Sequence, residues 1–113
     1  MISGIFSATF VSNLNLRGSG VAIFSGNTIH GGDAAFYYRG KYRLAEGNRI
    51  SGTIEVFQYA PTSGSVVGTF ERFRLKLNGV VKHEGFELSG PVEDHPDRLI
   101  SIKLKKMDEL IDA

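Results

Sequence analysis

From Ala35 the chain alternates strictly between two kinds of side chain. Phe36, Tyr38, Gly40, Tyr42 and Leu44 share one face of an extended segment; Tyr37, Arg39, Lys41 and Arg43 share the other. No other property of the sequence limits the fold as tightly, because the pattern recurs from end to end. Phe6, Ala8 and Phe10 alternate with Ser7 and Thr9, and Ile50, Ile54 and Val56 with Ser51, Thr53 and Glu55. Phe73, Leu75 and Leu77 face inward while Arg72, Arg74 and Lys76 face outward, and Ile100, Ile102 and Leu104 repeat the inward pattern. In GSGVAIFSG, Val21 and Ile23 share a face, but Ala22 and Phe24 are apolar too, so the phase stays open.

Turn chemistry separates these runs. Gly26-Asn27 tolerates positive φ, AEGN turns the chain before Arg49, and PTSGS is a loop. Asn78-Gly79 is the strongest hairpin signal, a two-residue type I′ turn. The count is seven long strands and a short one around TIH, joined in series. Each strand has one apolar face. Closing such a meander on itself covers those faces and removes exposed edges. The expected fold is all-β, an eight-stranded up-and-down antiparallel barrel over residues 1–113, with a two-sheet sandwich as the alternative. Only KKMDELIDA reads as helical, a short C-terminal turn whose Met107, Leu110 and Ile111 would cap the barrel end.

Composition narrows the function classes. A net charge of +1 offers no strong field for a phosphate backbone, so no nucleic acid is expected. The absence of cysteine excludes disulfides, thiolate metal sites and a Cys nucleophile, and fits the cytoplasm. The start, MISGIFSATFVS, lacks the basic opening and apolar run of a secretory signal. No apolar run approaches the roughly 20 residues of a membrane helix. No Ser-His-Asp set, phosphate-binding glycine loop or metal-ligand cluster is legible, so neither catalysis nor a cofactor is expected.

The start GIFSATFVS, the stretch GSGVAIFSGNTIHGGDAAFYYRGKY and the run VVGTFERFRLKLNG together resemble the GrlR-like family of small bacterial proteins. The resemblance covers nearly the whole chain. Its most specific part is Gly31-Gly32-Asp33 followed by Tyr38 and Gly40. It implies a lipocalin-like barrel, a homodimer, and negative regulation of type III secretion genes by binding a transcriptional activator, without enzymatic activity. The family's named regulator carries an acidic run after the strand equivalent to Tyr38–Leu44. Here that turn reads LAEGNR, with Glu46 as its only acid, so no partner-binding residue carries over on that motif.

Five features compete as sites. In HGGD, one His and one Asp lack the third group that catalysis or metal binding needs. The better reading is a structural turn, in which Gly31 and Gly32 adopt backbone conformations forbidden to other residues and Asp33 hydrogen-bonds the backbone just ahead. The Asn78-Gly79 register places Glu71, Lys82 and Glu84 on the interior face with Phe73, Leu75 and Phe86. They would form a buried ion pair or the polar handle of a ligand cavity, unless a bulge or the barrel mouth exposes them. With Phe36, Tyr38 and Tyr42 they make up the candidate ligand cavity for a small apolar ligand. The many Phe and Tyr residues favour a filled interior over a hollow one.

Phe57, Tyr59 and Phe70 read as outward aromatics and are the candidate dimer interface. The loop EDHPD, with Glu93, Asp94 and Asp97, is a candidate docking surface for a protein partner. Finally, Arg39, Lys41 and Arg43 on one strand and Arg72, Arg74 and Lys76 on another read as solvated outer faces. Protein–protein interaction leads as the function. Carriage or sensing of a small apolar ligand is the alternative, and acid–base chemistry by Glu71 and Glu84 a distant third.

Overall fold

A computed structural model describes residues 2–62, 64–82 and 85–112. Eight antiparallel strands close into one barrel in sequence order, β8 pairing back onto β1. They are β1 (Gly4–Ser12), β2 (Arg17–Ser25), β3 (Thr28–Gly32), β4 (Phe36–Ala45), β5 (Arg49–Gln58), β6 (Arg72–Val80), β7 (Gly85–Val92) and β8 (His95–Asp108). The expected barrel is therefore the observed fold. Alternation sets the wall: within a strand the buried residues fall on one alternating face. The phase of β2 resolves with Ala22 and Phe24 buried, leaving Val21 and Ile23 exposed on the outside.

The lower end carries the β2–β3 and β4–β5 turns. Gly26, at φ 61°, sits in a two-residue turn closed by the Ser25–Thr28 pair. The β4–β5 turn is a short 3-10 segment, Glu46–Asn48, in which Gly47 and Asn48 take positive φ. The upper end carries the β1–β2, β3–β4, β5–β6 and β7–β8 connections. Of these, the β5–β6 connection is the longest, and its Gly64–Phe70 part folds over the barrel mouth. Val67 in it is fully buried, and the Ser12 hydroxyl donates to the Val66 carbonyl.

Three expectations are corrected. Asn78-Gly79 is no turn: β6 runs through it to Val80, Asn78 pairing with Ser89 and Gly79 with Leu88. A glycine is needed there for a different reason, since a Cβ would collide with the Glu87 carbonyl. Likewise Gly31 and Gly32 have ordinary extended φ; Gly31 is required because a Cβ would strike the Val21 carbonyl across the β2–β3 pair. The C-terminal helical turn is absent as well. Residues to Asp108 extend β8, where Phe6 pairs with Lys106 and Ile5 with Asp108. Met107 and Ile111 are exposed and cap nothing. A helix this short is marginal alone, and pairing with β1 outweighs it.

Candidate functional site

The two ends of the interior differ. At the lower end Phe6, Phe24, Tyr42 and Phe86 form an aromatic plug. Phe24 is its centre, with ring centroids 4.9 Å from Phe6, 5.5 Å from Tyr42 and 5.9 Å from Phe86. The Tyr42 hydroxyl donates to the Gly26 carbonyl at 2.7 Å and accepts from the Ile2 amide at 2.8 Å, tying the β2–β3 turn and the N-terminal segment to the plug.

At the upper end the barrel is hollow. A cavity of about 270 Å³ lies beneath the Gly64–Phe70 segment, lined by residues that include Phe10, Phe36, Tyr38, Phe73 and Val66. Its cause is side-chain size. Of the inward positions of β1 and β2 here only Phe10 is large; Ala8, Gly18, Gly20 and Ala22 are small, all on its wall or beside it. The expectation of a filled interior therefore holds for one half and fails for the other.

One polar cluster stands on the cavity wall. Asp33 closes the β3–β4 connection: its Oδ1 accepts from the Ala35 and Phe36 amides, both at 2.9 Å. Its Oδ2 accepts from the Tyr38 hydroxyl, and its main-chain carbonyl accepts from the Tyr59 hydroxyl. Gly20 leaves room for this pair, because a Cβ there would press on the Tyr38 hydroxyl and the Asp33 side chain. Burial drives the Tyr38 phenol well above its ordinary value, helped by its hydrogen bond to Asp33 and by the nearby Asp33 carboxylate. Tyr38 is thus held neutral, with its proton committed to Asp33. Ser65 donates to the Gly68 carbonyl and Thr62 to the Gly64 carbonyl. The hydroxyl protons of Tyr38, Ser65 and Thr62 are thus spent on the protein. Arg17 and Ser19 stand exposed at its rim.

Of the sequence-derived cavity residues, Phe36, Tyr38 and Phe73 line this space. Tyr42 and Phe86 belong to the plug. Glu71 and Lys82 lie exposed outside the strands, because β6 continues past Asn78-Gly79 and the register that put them inside does not exist. Glu84 lies outside the described residues. Asp33, read only as a turn residue, is also part of the cavity wall. Its spacing to Tyr38 was visible, but not that β3 and β4 would turn both toward the interior.

The outer wall gathers the remaining candidates. Tyr37 stacks on Phe57 with centroids 5.1 Å apart, Tyr59 lies 6.4 Å from Tyr37, and the Arg39 guanidinium covers Phe57. Phe70 is not part of this cluster; it packs inward on Phe73 and on His95 at 4.6 Å. EDHPD is not a loop either: Val92 pairs with His95, so the turn is Glu93-Asp94, and Asp97 belongs to β8. Asp94 is exposed, and Asp97 pairs with Arg98 at 3.1 Å. Glu93 sits between Arg74 and Lys76, at 3.2 and 3.4 Å. The ladder continues through Arg74 to Glu55 at 3.4 Å and on to Arg39 at 3.3 Å.

Among the described residues, no group of three or more His, Asp or Glu side chains forms a metal-ion site, and no helix is long and apolar enough to cross a membrane. No protein-family model matches the chain, and no curated protein matches it.

Proposed function

We propose that this barrel is a non-catalytic binding protein that carries or senses a small apolar ligand in its hollow upper half. The observation that supports the reading is the cavity of about 270 Å³, largely apolar, with the Tyr38–Asp33 pair on its wall. An apolar cavity of about 150 Å³ holds a benzene. The space here therefore suits a compact molecule of one or two rings, or a short aliphatic chain. Because the Tyr38 proton is already committed to Asp33, this pair offers acceptor lone pairs, and the preferred ligand carries one hydroxyl or N–H donor. Pockets of this kind combine hydrocarbon lining with a few placed polar groups.

Thermal denaturation with indole, 1-methylindole and naphthalene tests this reading. Ligand that binds only the folded state raises the melting temperature. Indole should raise it most, since 1-methylindole and naphthalene lack the donor. Ala8→Leu, which intrudes on the cavity, should abolish the shift. No shift with any of the three, or the same shift in Ala8→Leu, contradicts the reading.

A second reading is favoured by the exposed Tyr37 and Tyr59 around the half-buried Phe57: regulation by protein–protein contact, as the resemblance to the GrlR-like family implies, through a homodimer or a transcriptional activator. Tyr37 is 46% and Tyr59 58% exposed, and Val21 adds apolar surface across Gly32. Clustered exposed aromatics of this kind mark contact surfaces. Tyr37→Ala/Tyr59→Ala should lower the solution mass of an oligomer, or release a defined activator, without changing the indole response.

A further inference from the structure

The net charge of +1 conceals a separation of charge. Strands β4, β5 and β6 carry seven Lys and Arg residues against one acid, Glu55; the rest of the chain carries six against eleven. All seven cations sit at outward positions and are exposed: Arg39, Lys41 and Arg43 on β4, Arg49 on β5, and Arg72, Arg74 and Lys76 on β6. One wall of the barrel is therefore strongly basic.

That wall has relief as well as charge. A trough of about 910 Å³ runs along it, with Ser51, Gly52 and Thr53 of β5 between Lys41 and Arg43 on one rim and Lys76 and Asn78 on the other. The rims are two interstrand spacings apart, roughly 10 Å. The small β5 residues form a floor that carries hydroxyl groups, and long cationic side chains stand on both sides. Among the described residues Lys41 and Arg43 enter no ion pair, whereas Arg39, Arg74 and Lys76 are partly neutralised by Glu55 and Glu93. Above the trough on the same wall stand Tyr37, Phe57 and Tyr59. Tyr37 and Lys41 are separated along β4 by roughly 13 Å of strand.

We propose that this wall docks an acidic segment of a partner protein. Adjacent carboxylates enter the trough between Lys41, Arg43 and Lys76, and an apolar side chain about four extended residues away rests on Tyr37 and Tyr59. The inference deepens the protein-docking reading and rests on it; the ligand cavity is independent of it. Single-stranded nucleic acid fits the wall less well. A stacking platform needs open ring faces, and Phe57 is already engaged by Tyr37 and by the Arg39 guanidinium. A phosphate track needs a continuous run of free cations, and Glu55 and Glu93 interrupt this one. A peptide, with discrete carboxylates and an apolar anchor, meets both halves of the wall.

Fluorescence anisotropy tests the proposal with three labelled probes. They are a peptide bearing adjacent glutamates and a phenylalanine four residues away, its glutamine counterpart, and oligothymidylate of matched charge. The acidic peptide should bind, weaken with salt, and lose about tenfold in affinity with Lys41→Glu/Arg43→Glu. Lys103→Glu/Lys105→Glu, on the opposite strand β8, should leave binding unchanged. Tighter binding of oligothymidylate, or equal loss from the β8 reversal, overturns the proposal. If both peptides bind alike and only Tyr37→Ala weakens them, the acidic inference falls while protein docking stands. If neither peptide binds, both fall.

Discussion

The two halves of the barrel interior are built from the same alternating strands and reach opposite results. At the lower end, four aromatic rings meet around Phe24, which is fully buried. At the upper end, β1 and β2 hold small Ala8, Gly18, Gly20 and Ala22 at inward positions beside a single ring, Phe10, and a cavity opens. Closure and alternation decide which residues face inward. Only their volumes decide whether the inside is a core or a container. The polar groups follow the same division. Tyr42 spends its hydroxyl on backbone at the sealed end, while Tyr38 spends its proton on Asp33 at the open one.

The sharpest way to break the comparison is to remove a ring from each half. Phe24→Ala should cost about 3–5 kcal/mol, the range for a large side chain deleted from a packed core. Phe73→Ala, whose ring already borders empty space, should cost distinctly less. Urea denaturation measures both, and equal losses would mean that the upper half is as well packed as the lower. Next in size is Asp33→Ala. It strips an acceptor from the Tyr38 hydroxyl and from the Ala35 and Phe36 amides, and should cost about 1–3 kcal/mol. Ala8→Leu should be neutral or stabilising by about 0.5–2 kcal/mol, as cavity filling commonly is. Leu77→Phe, which overfills the tightly packed lower region, should instead lose about 1–3 kcal/mol.

A pH experiment probes the Tyr38 environment. The Tyr38 phenol is raised in the folded protein by burial and by Asp33, so above a pH of about 10 the unfolded chain releases this proton first. Its contribution to stability is intact below that pH and is lost as pH rises further. Tyr38→Phe should flatten this alkaline fall, measured by denaturation at stepped pH, and an unchanged slope would show that Tyr38 does not carry it. The smallest effect belongs to the outer ladder. Glu93→Gln removes contacts to Arg74 and Lys76 that are largely exposed, and should change stability by less than about 1 kcal/mol.

Much of this was readable from residue order alone, and the failures have specific physical causes. Alternation in β4, β5 and β6 identified which face of each strand turns inward, and Gly26-Asn27 identified a turn. Asn78-Gly79 carries the same signal for another reason, because Gly79 answers a close approach by the Glu87 carbonyl rather than a need for positive φ. That single misreading shifted Glu71 and Lys82 into the interior. The cavity was hidden by β2, where exposed Val21 and Ile23 mask the inward phase of Gly20 and Ala22. The basic wall was hidden by the net charge, which averages two cationic strands, β4 and β6, against acids elsewhere.

The central claim is that the hollow half holds a small apolar molecule, and methyl-detected NMR during a titration with indole tests it most directly. The account predicts shifts at Ala8, Ala22 and Leu88, which line the cavity, and none at Ile50 in the lower half. Shifts confined to exposed methyls such as Val21, or no shifts at all, would contradict it.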